Sequence, residues 1–188
     1  DGGACSDDSE TVTITIDPTV TAGTGTDQDV CITNGSFDLH GMLASETMGG
    51  TWSDDSASGE LTGSVVDATG LVAGNGYAFT YTVDGGACPN DDETVTITID
   101  PTVTAGTATD QDVCITNAAF NLNGTLSAGA TSGGVWSDDD GSGELTGSNV
   151  DATALVAGNS YSFTYTVDGD ACADDSETVT ITIDPTVT

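Results

Sequence analysis

Thr94-Val95-Thr96-Ile97-Thr98-Ile99 alternates β-branched apolar residues with threonine. Such strict alternation puts Val95, Ile97 and Ile99 on one face of an extended chain and the threonines on the other, the pattern of a half-buried β-strand. The same six residues stand at 11–16 and at 178–183. Each copy lies inside a longer repeated block that begins D-G-x-A-C, at Asp1, Asp84 and Asp168, so the period is 83 residues (84 − 1) and then 84 (168 − 84). The extra residue falls where SAGATSGGVW, ending at Trp136, replaces ASETMGGTW, ending at Trp52, and a one-residue insertion in a preserved repeat reads as a loop.

Outward from that strand the rest of the repeat is also β. Tyr77, Phe79 and Tyr81 alternate with small residues, and shorter strands are expected over 30–33, 37–43, 51–53, 60–62 and 65–68. Gly, Asn and Asp clusters separate them, and no segment has a helical period. A period of this length suits a self-contained domain rather than a solenoid unit. About seven short strands, with a single Trp expected on a central one, predict an all-β fold: tandem immunoglobulin-like β-sandwich domains arranged head to tail. Trp52, Trp136, Tyr77 and Tyr161 are expected in the core.

Five cysteines occur, Cys5, Cys31, Cys88, Cys114 and Cys172. The periodicity admits Cys31–Cys88 with Cys114–Cys172, or Cys5–Cys31 with Cys88–Cys114. The first set is expected, on the argument that Cys31 and the loop carrying Cys88 share a pole of the sandwich, while a whole strand, some 20 Å, separates Cys88 from Cys114. Cys5 then has its partner upstream. The implied organisation is residues 1–16 as the last strand of a preceding repeat, 17–99 and 100–183 as two complete domains, and 184–188 as the start of another. Disulfides place the chain in an oxidising, extracellular setting.

The charge excludes several functions. The chain has 31 Asp plus Glu, one His and no Lys or Arg, for a formal charge of −31. Nucleic-acid binding needs cationic side chains to displace counterions, and this chain has none to offer. No apolar run is long enough to cross a membrane, so membrane insertion is not expected. The only histidine, His40, becomes Asn123 in the second repeat and is expected on a solvent-facing strand position, so no His-based catalytic set can be common to the repeats. No enzyme is expected. Zinc is disfavoured if the cysteines are bridged.

Calcium is the metal the composition allows, because it takes six to eight oxygen ligands. The candidate ligands are Asp54, Asp55, Asp100, Asp110, Asp112, Asp174 and Asp175, expected to converge where the two repeats meet. The alternative is a generally acidic, solvated surface.

Val30-Cys-Ile-Thr-Asn34, Gly49-Gly-Thr-Trp-Ser53, the Gly74–Val83 strand G-x-x-Y-x-F-T-Y-T-V, the Ala87-Cys88-Pro89 loop and the closing TVTITIDPTVTAGT together resemble the immunoglobulin-like repeats of giant Bacteroidota cell-surface proteins, of the gliding-motility adhesin and type IX secretion cargo type. The resemblance covers both full repeats. It implies a structural array forming an extracellular stalk or filament, whose partners are neighbouring copies of the repeat, joined covalently or by strand addition. The alternative function is an adhesive module that binds surface glycans or partner cells through loops at the sandwich poles.

Overall fold

The computed structural model describes residues 8–186; Cys5, residues 1–7 and residues 187–188 lie outside the described part. The fold is an all-β sandwich. The first repeat comprises β1 (Thr24–Gly25), β2 (Gln28–Cys31), β3 (Ser36–Asp38), β4 (Leu43–Ala44), β5 (Thr51–Asp54), β6 (Leu61–Thr62), β7 (Val65–Asp67), β8 (Gly76–Val83) and β9 (Asp91–Asp100). The second comprises β10 (Gln111–Cys114), β11 (Phe120–Asn121), β12 (Val135–Asp138), β13 (Leu145–Thr146), β14 (Asn149–Val150), β15 (Ser160–Val167) and β16 (Asp175–Asp184).

Each repeat forms a four-stranded sheet, β2-β9-β8-β5 or β10-β16-β15-β12, and a three-stranded one, β3-β7-β6 or β11-β14-β13. The first repeat adds the β1–β4 pair, and the second has a single Ala108–Leu126 bridge in its place. β8 and β9 are antiparallel, whereas β2 runs parallel to β9, with Val30 opposite Ile99 and Cys31 opposite Asp100. That one parallel pairing determines which cysteines meet.

The T-V-T-I-T-I alternation behaves as physical chemistry requires. Val95, Ile97 and Ile99 are fully buried, as are Val179, Ile181 and Ile183. In the first repeat they pack with Phe79 against Leu39, Val66, Ala68 and Leu71 from the other side of the sandwich. Each such side chain contributes about 1.5–3 kcal/mol by leaving water. β9 and β16 each end at an Asp-Pro step, because proline has no N–H for the ladder.

Two expectations need correction. The stretch 37–43 is not one strand: after β3 the chain turns through a 3-10 segment, Leu39–Met42, whose first turn is capped by Asp38 accepting from the His40 N–H at 3.0 Å. A carboxylate directly before the turn offers the backbone a better acceptor than a ladder would. The tryptophans also lie on edge strands rather than central ones, since β5 and β12 terminate their sheets. Trp136 is buried and Trp52 half-buried, each stacked at a tilt on a tyrosine of the neighbouring strand, Tyr165 or Tyr81. The tyrosine hydroxyls close the next loop: Tyr81 accepts from the Gly50 N–H and donates to the Thr47 carbonyl, and Tyr165 does the same with Gly134 and Thr131.

Candidate functional site

The candidate site is the place where the two repeats meet. β9 reaches Asp100, whose carbonyl accepts from the Ile32 N–H at 3.0 Å. The Asp100 carboxylate accepts from the Ala171 N–H at 3.0 Å, inside the loop that precedes β16 of the second repeat. One residue therefore ends a strand of the first repeat and latches a loop of the second, and Pro101 follows it directly.

That loop presents Cys172. It is held by hydrogen bonds from the Asp170 N–H to the Asp168 carboxylate, the Gly169 N–H to the Asp174 carboxylate, and the Cys172 N–H to the Gly169 carbonyl. The Cys172 Sγ lies 3.4 Å from the Asp100 carbonyl oxygen. Cys31, opposite Asp100 on β2, reaches the same spot and is disulfide-bonded to Cys172, with 4.6 Å between Cα atoms and 141 residues between them in sequence. The Thr33 hydroxyl sits 3.1 Å from the Cys31 sulfur.

The expected pairing of Cys31 with Cys88 and Cys114 with Cys172 is thus overturned. The chain does enter the first repeat beside Cys88: Asp17 accepts from the Ala87 N–H at 2.9 Å, and the Cys88 Sγ is 3.6 Å from the Asp17 carbonyl oxygen. But β2 runs parallel to β9, so its terminal Cys31 lies beside the end of β9, while Cys88 precedes its start. The ten residues of β9 span about 30 Å, far beyond the reach of a disulfide. Cys88 and Cys114 are free thiols, half-buried and exposed respectively.

The acidic residues do not converge. Asp54 accepts from the Ser58 hydroxyl and the Gly59 N–H, and Asp55 from the Ser53 and Thr80 hydroxyls. Asp110 accepts from the Thr180 N–H, Asp174 from Gly169 and Asp175 from Ala105, while Asp112 lies on β10 opposite Thr182. Most of these carboxylates fasten backbone, as Asp100 does. Among the described residues no three His, Cys, Asp or Glu side chains come together as a metal site.

At Asp175, Asp54 and Asp138 hydrogen bonds stabilise the charged form. The Ala105 N–H holds Asp175 below the usual carboxylate range, against a smaller opposing effect of burial. At Asp54 and Asp138 burial acts to raise the carboxyl, but backbone N–H groups and a serine hydroxyl outweigh it together, and both are held low.

His40 is half-buried rather than solvent-facing on a strand. It sits in the 3-10 turn, edge-on to Trp52 and Tyr81 at 5.8 and 5.2 Å between ring centroids, and 3.5 Å from Glu46. At the matching place in the second repeat a groove of about 800 Å³ is lined by Asn123, Val135, Trp136 and Tyr165. No helix among the described residues is long and apolar enough to cross a membrane.

Sequence reasoning singled out Asp100 as a metal ligand and missed its structural part. The available signal was the Asp-Pro step that follows every T-V-T-I-T-I, at Asp17, Asp100 and Asp184.

No family model matches the chain, and no curated protein matches it. Among solved structures it is similar to the insect immune protein hemolin, at 10% identity and TM-score 0.42, over 95% of this chain and 49% of that one. It is also similar to Drosophila N-cadherin EC1-4, at 12% identity and TM-score 0.36, over 87% and 49% of the two chains. A Ca²⁺-stabilized adhesin of an Antarctic bacterium aligns at 17% identity and TM-score 0.33, over 90% and 51%. The chain spans about half the length of each of these structures.

Proposed function

We propose that this chain is part of a structural repeat array, an extracellular stalk or filament of a bacterial surface protein, with 17–99 and 100–183 as successive beads. The observation that carries this reading is the junction: a disulfide between Cys31 and Cys172 and a shared Asp100, with no linker between the beads. A bridge that crosses from one bead to the next resists bending and pulling at the point where tandem domains otherwise hinge. An oxidising location outside the cytoplasm follows from the bridge. The charge of −31 keeps such a rod soluble, and divalent cations act on it as diffuse counterions rather than as caged ligands.

Small-angle scattering with and without reductant tests the reading. A stiff two-bead particle is expected in the oxidised chain, with a broader distribution of bead separations once Cys31–Cys172 is reduced. Identical flexible profiles in both states would remove the mechanical role. Added calcium or chelator should change the oxidised profile no more than an equal ionic strength of monovalent salt.

A second reading, an adhesive module for surface glycans, draws on the groove beside Trp136, whose exposed rim residue Val135 is 72% accessible. The Trp136 indole N–H is already committed to Asn123 at 2.8 Å, which leaves the groove one polar group poorer for a sugar. Glycan-array binding that is lost on Val135→Asp would favour it.

A further inference from the structure

The junction is built from parts that recur at both outer poles of the two-repeat unit. At the outer pole of the second repeat, Cys114 stands opposite Asp184 on β10, as Cys31 stands opposite Asp100 on β2. The Asp184 carbonyl accepts from the Ile115 N–H at 2.9 Å, matching Asp100 and Ile32 at 3.0 Å. The Thr116 hydroxyl lies 3.1 Å from the Cys114 sulfur, the distance from Thr33 to Cys31. At the outer pole of the first repeat, Cys88 is carried by the same latched loop as Cys172, with the Gly86 N–H on the Asp84 carboxylate and the Gly85 N–H on the Asn90 side chain. Its sulfur lies 3.6 Å from the Asp17 carbonyl, as that of Cys172 lies 3.4 Å from Asp100. Two halves of the bridge seen in the middle of the molecule are therefore present at its ends, each as a free thiol.

The pole that carries Cys88 also offers an unpaired strand. Residues 11–16, the third copy of T-V-T-I-T-I, lie in no sheet, and Val12, Ile14 and Ile16 are 81, 78 and 83% exposed. In both repeats this sequence is flanked by the strand that bears Cys31 or Cys114, β2 or β10. What fits beside residues 11–16 is hence the sheet of another copy of this repeat, where they would take the place that its own T-V-T-I-T-I strand, β16, holds beside β10, with a Cys114-type thiol next to Asp17.

We infer that Cys88 and Cys114 are the two complementary halves of an inter-repeat staple, and that each is closed by a further copy of the same repeat, Cys114 of one copy bonding Cys88 of the next. The inference rests on the array reading and adds to it a covalent lock at every junction, one that joins like beads head to tail.

Bridge formation needs an oxidant, and a small-molecule disulfide such as oxidised glutathione suffices. The Cys114 thiolate attacks it, forming a mixed disulfide and releasing one glutathione thiolate. The Cys88 thiolate of the next copy then displaces the second. Two protein thiols are oxidised, one glutathione disulfide is reduced to two thiols, and the two protein protons pass to the glutathione thiolates. Cys114 suits the attacking role: it is exposed, and the Thr116 hydroxyl and N–H hold its thiol below the usual value.

The test uses the full chain with Cys5→Ser, so that the remaining D-G-x-A-C cysteine cannot compete. Equal amounts of ¹⁴N- and ¹⁵N-labelled chain are unfolded, reduced and refolded together at high concentration in a glutathione redox buffer. Intact mass and an Asp/Glu-directed digest are then read without reductant. The expected result is a ladder of covalent oligomers in which Cys88 is joined to Cys114 across differently labelled chains, in large excess over Cys88–Cys88 and Cys114–Cys114. The ladder should collapse to dimer or below in Cys114→Ser and in Cys88→Ser. Like-with-like pairs at random frequency, a bridge from Cys88 to Cys114 within one chain, or thiols left free while Cys31–Cys172 has formed would each overturn it. Free thiols beside an intact Cys31–Cys172 bridge would leave the array reading standing, whereas failure of Cys31–Cys172 to form would remove the junction on which that reading depends.

Discussion

The two repeats share the same four-stranded and three-stranded sheets, yet they solve one buried polar problem differently. In the second, Asn123 accepts from the Trp136 indole N–H at 2.8 Å. In the first, His40 occupies the Asn123 position; the Trp52 indole nitrogen is buried without a hydrogen-bond partner, and the His40 Nδ1 has only the Glu46 carboxylate, a long 3.5 Å away. The histidine adds aromatic contacts with Trp52 and Tyr81 in exchange. The groove measures about 800 Å³ beside Trp136, where the preceding loop is one residue longer and lines it, and about 450 Å³ beside Trp52. A fold can thus keep its sheets while a single turn residue trades polar satisfaction for packing.

The bridge couples the two halves, and breaking it should have the largest effect. Cys31→Ser closes no 141-residue loop, and by the loop-entropy argument it should cost on the order of 3–5 kcal/mol. Calorimetry should then resolve two transitions, one per repeat, where the bridged chain unfolds more nearly as one. A single unchanged transition would mean that the halves are coupled by something other than this bond.

In that uncoupled background the shared features should respond alike. Tyr81→Phe and Tyr165→Phe each leave a loop N–H and a carbonyl unpaired, and each should cost about 1–3 kcal/mol in its own transition. Unequal costs would show that the His40 stack also supports Tyr81.

Acid should act on both repeats together, because three carboxyls in each are held low: Asp38, Asp54 and Asp67 in the first, Asp138, Asp151 and Asp175 in the second. Their folded values lie below the unfolded value of about 3.9, so the stability they contribute is present above that pH and is lost as pH falls through the folded values. The loss of these contributions is expected to lower both midpoints below about pH 4. Protonation also relieves the mutual repulsion of the −31 charge, so a rise in midpoint between neutral pH and about pH 4 is expected first.

His40→Asn should give the Trp52 indole an acceptor and raise the first transition by about 1 kcal/mol, while Asn123→His lowers the second by a similar amount. If neither midpoint moves, aromatic packing compensates fully for the missing hydrogen bond. The smallest effect should come from Asp170→Gly. Asp170 stands at φ 53° where the first repeat has Gly86 at 63°, and relieving a side chain in the left-handed region should gain no more than about 1 kcal/mol.

Much of this protein is legible in the chain itself. The alternation of Thr with Val and Ile at 94–99 determined the central strand and its buried face, since side chains on an extended backbone must point to opposite sides. The repeat determined that every pole, loop and cysteine environment would recur. Asp38 shows where local reading falls short: apolar residues on either side suggested one strand, but a carboxylate able to cap the next turn broke it.

Only the tertiary structure decided which cysteines meet. Sequence spacing allowed a bridge within a repeat as readily as one between repeats. The choice depended on whether the cysteine-bearing strand runs parallel or antiparallel to the last strand, and strand direction is a property of the assembled sheet that no run of residues encodes by itself. The same holds for the acids: sequence placed the candidate carboxylates together at the junction, and three dimensions set most of them on separate backbone N–H groups, Asp100 and Asp174 on the loop of Cys172 and Asp175 on Ala105.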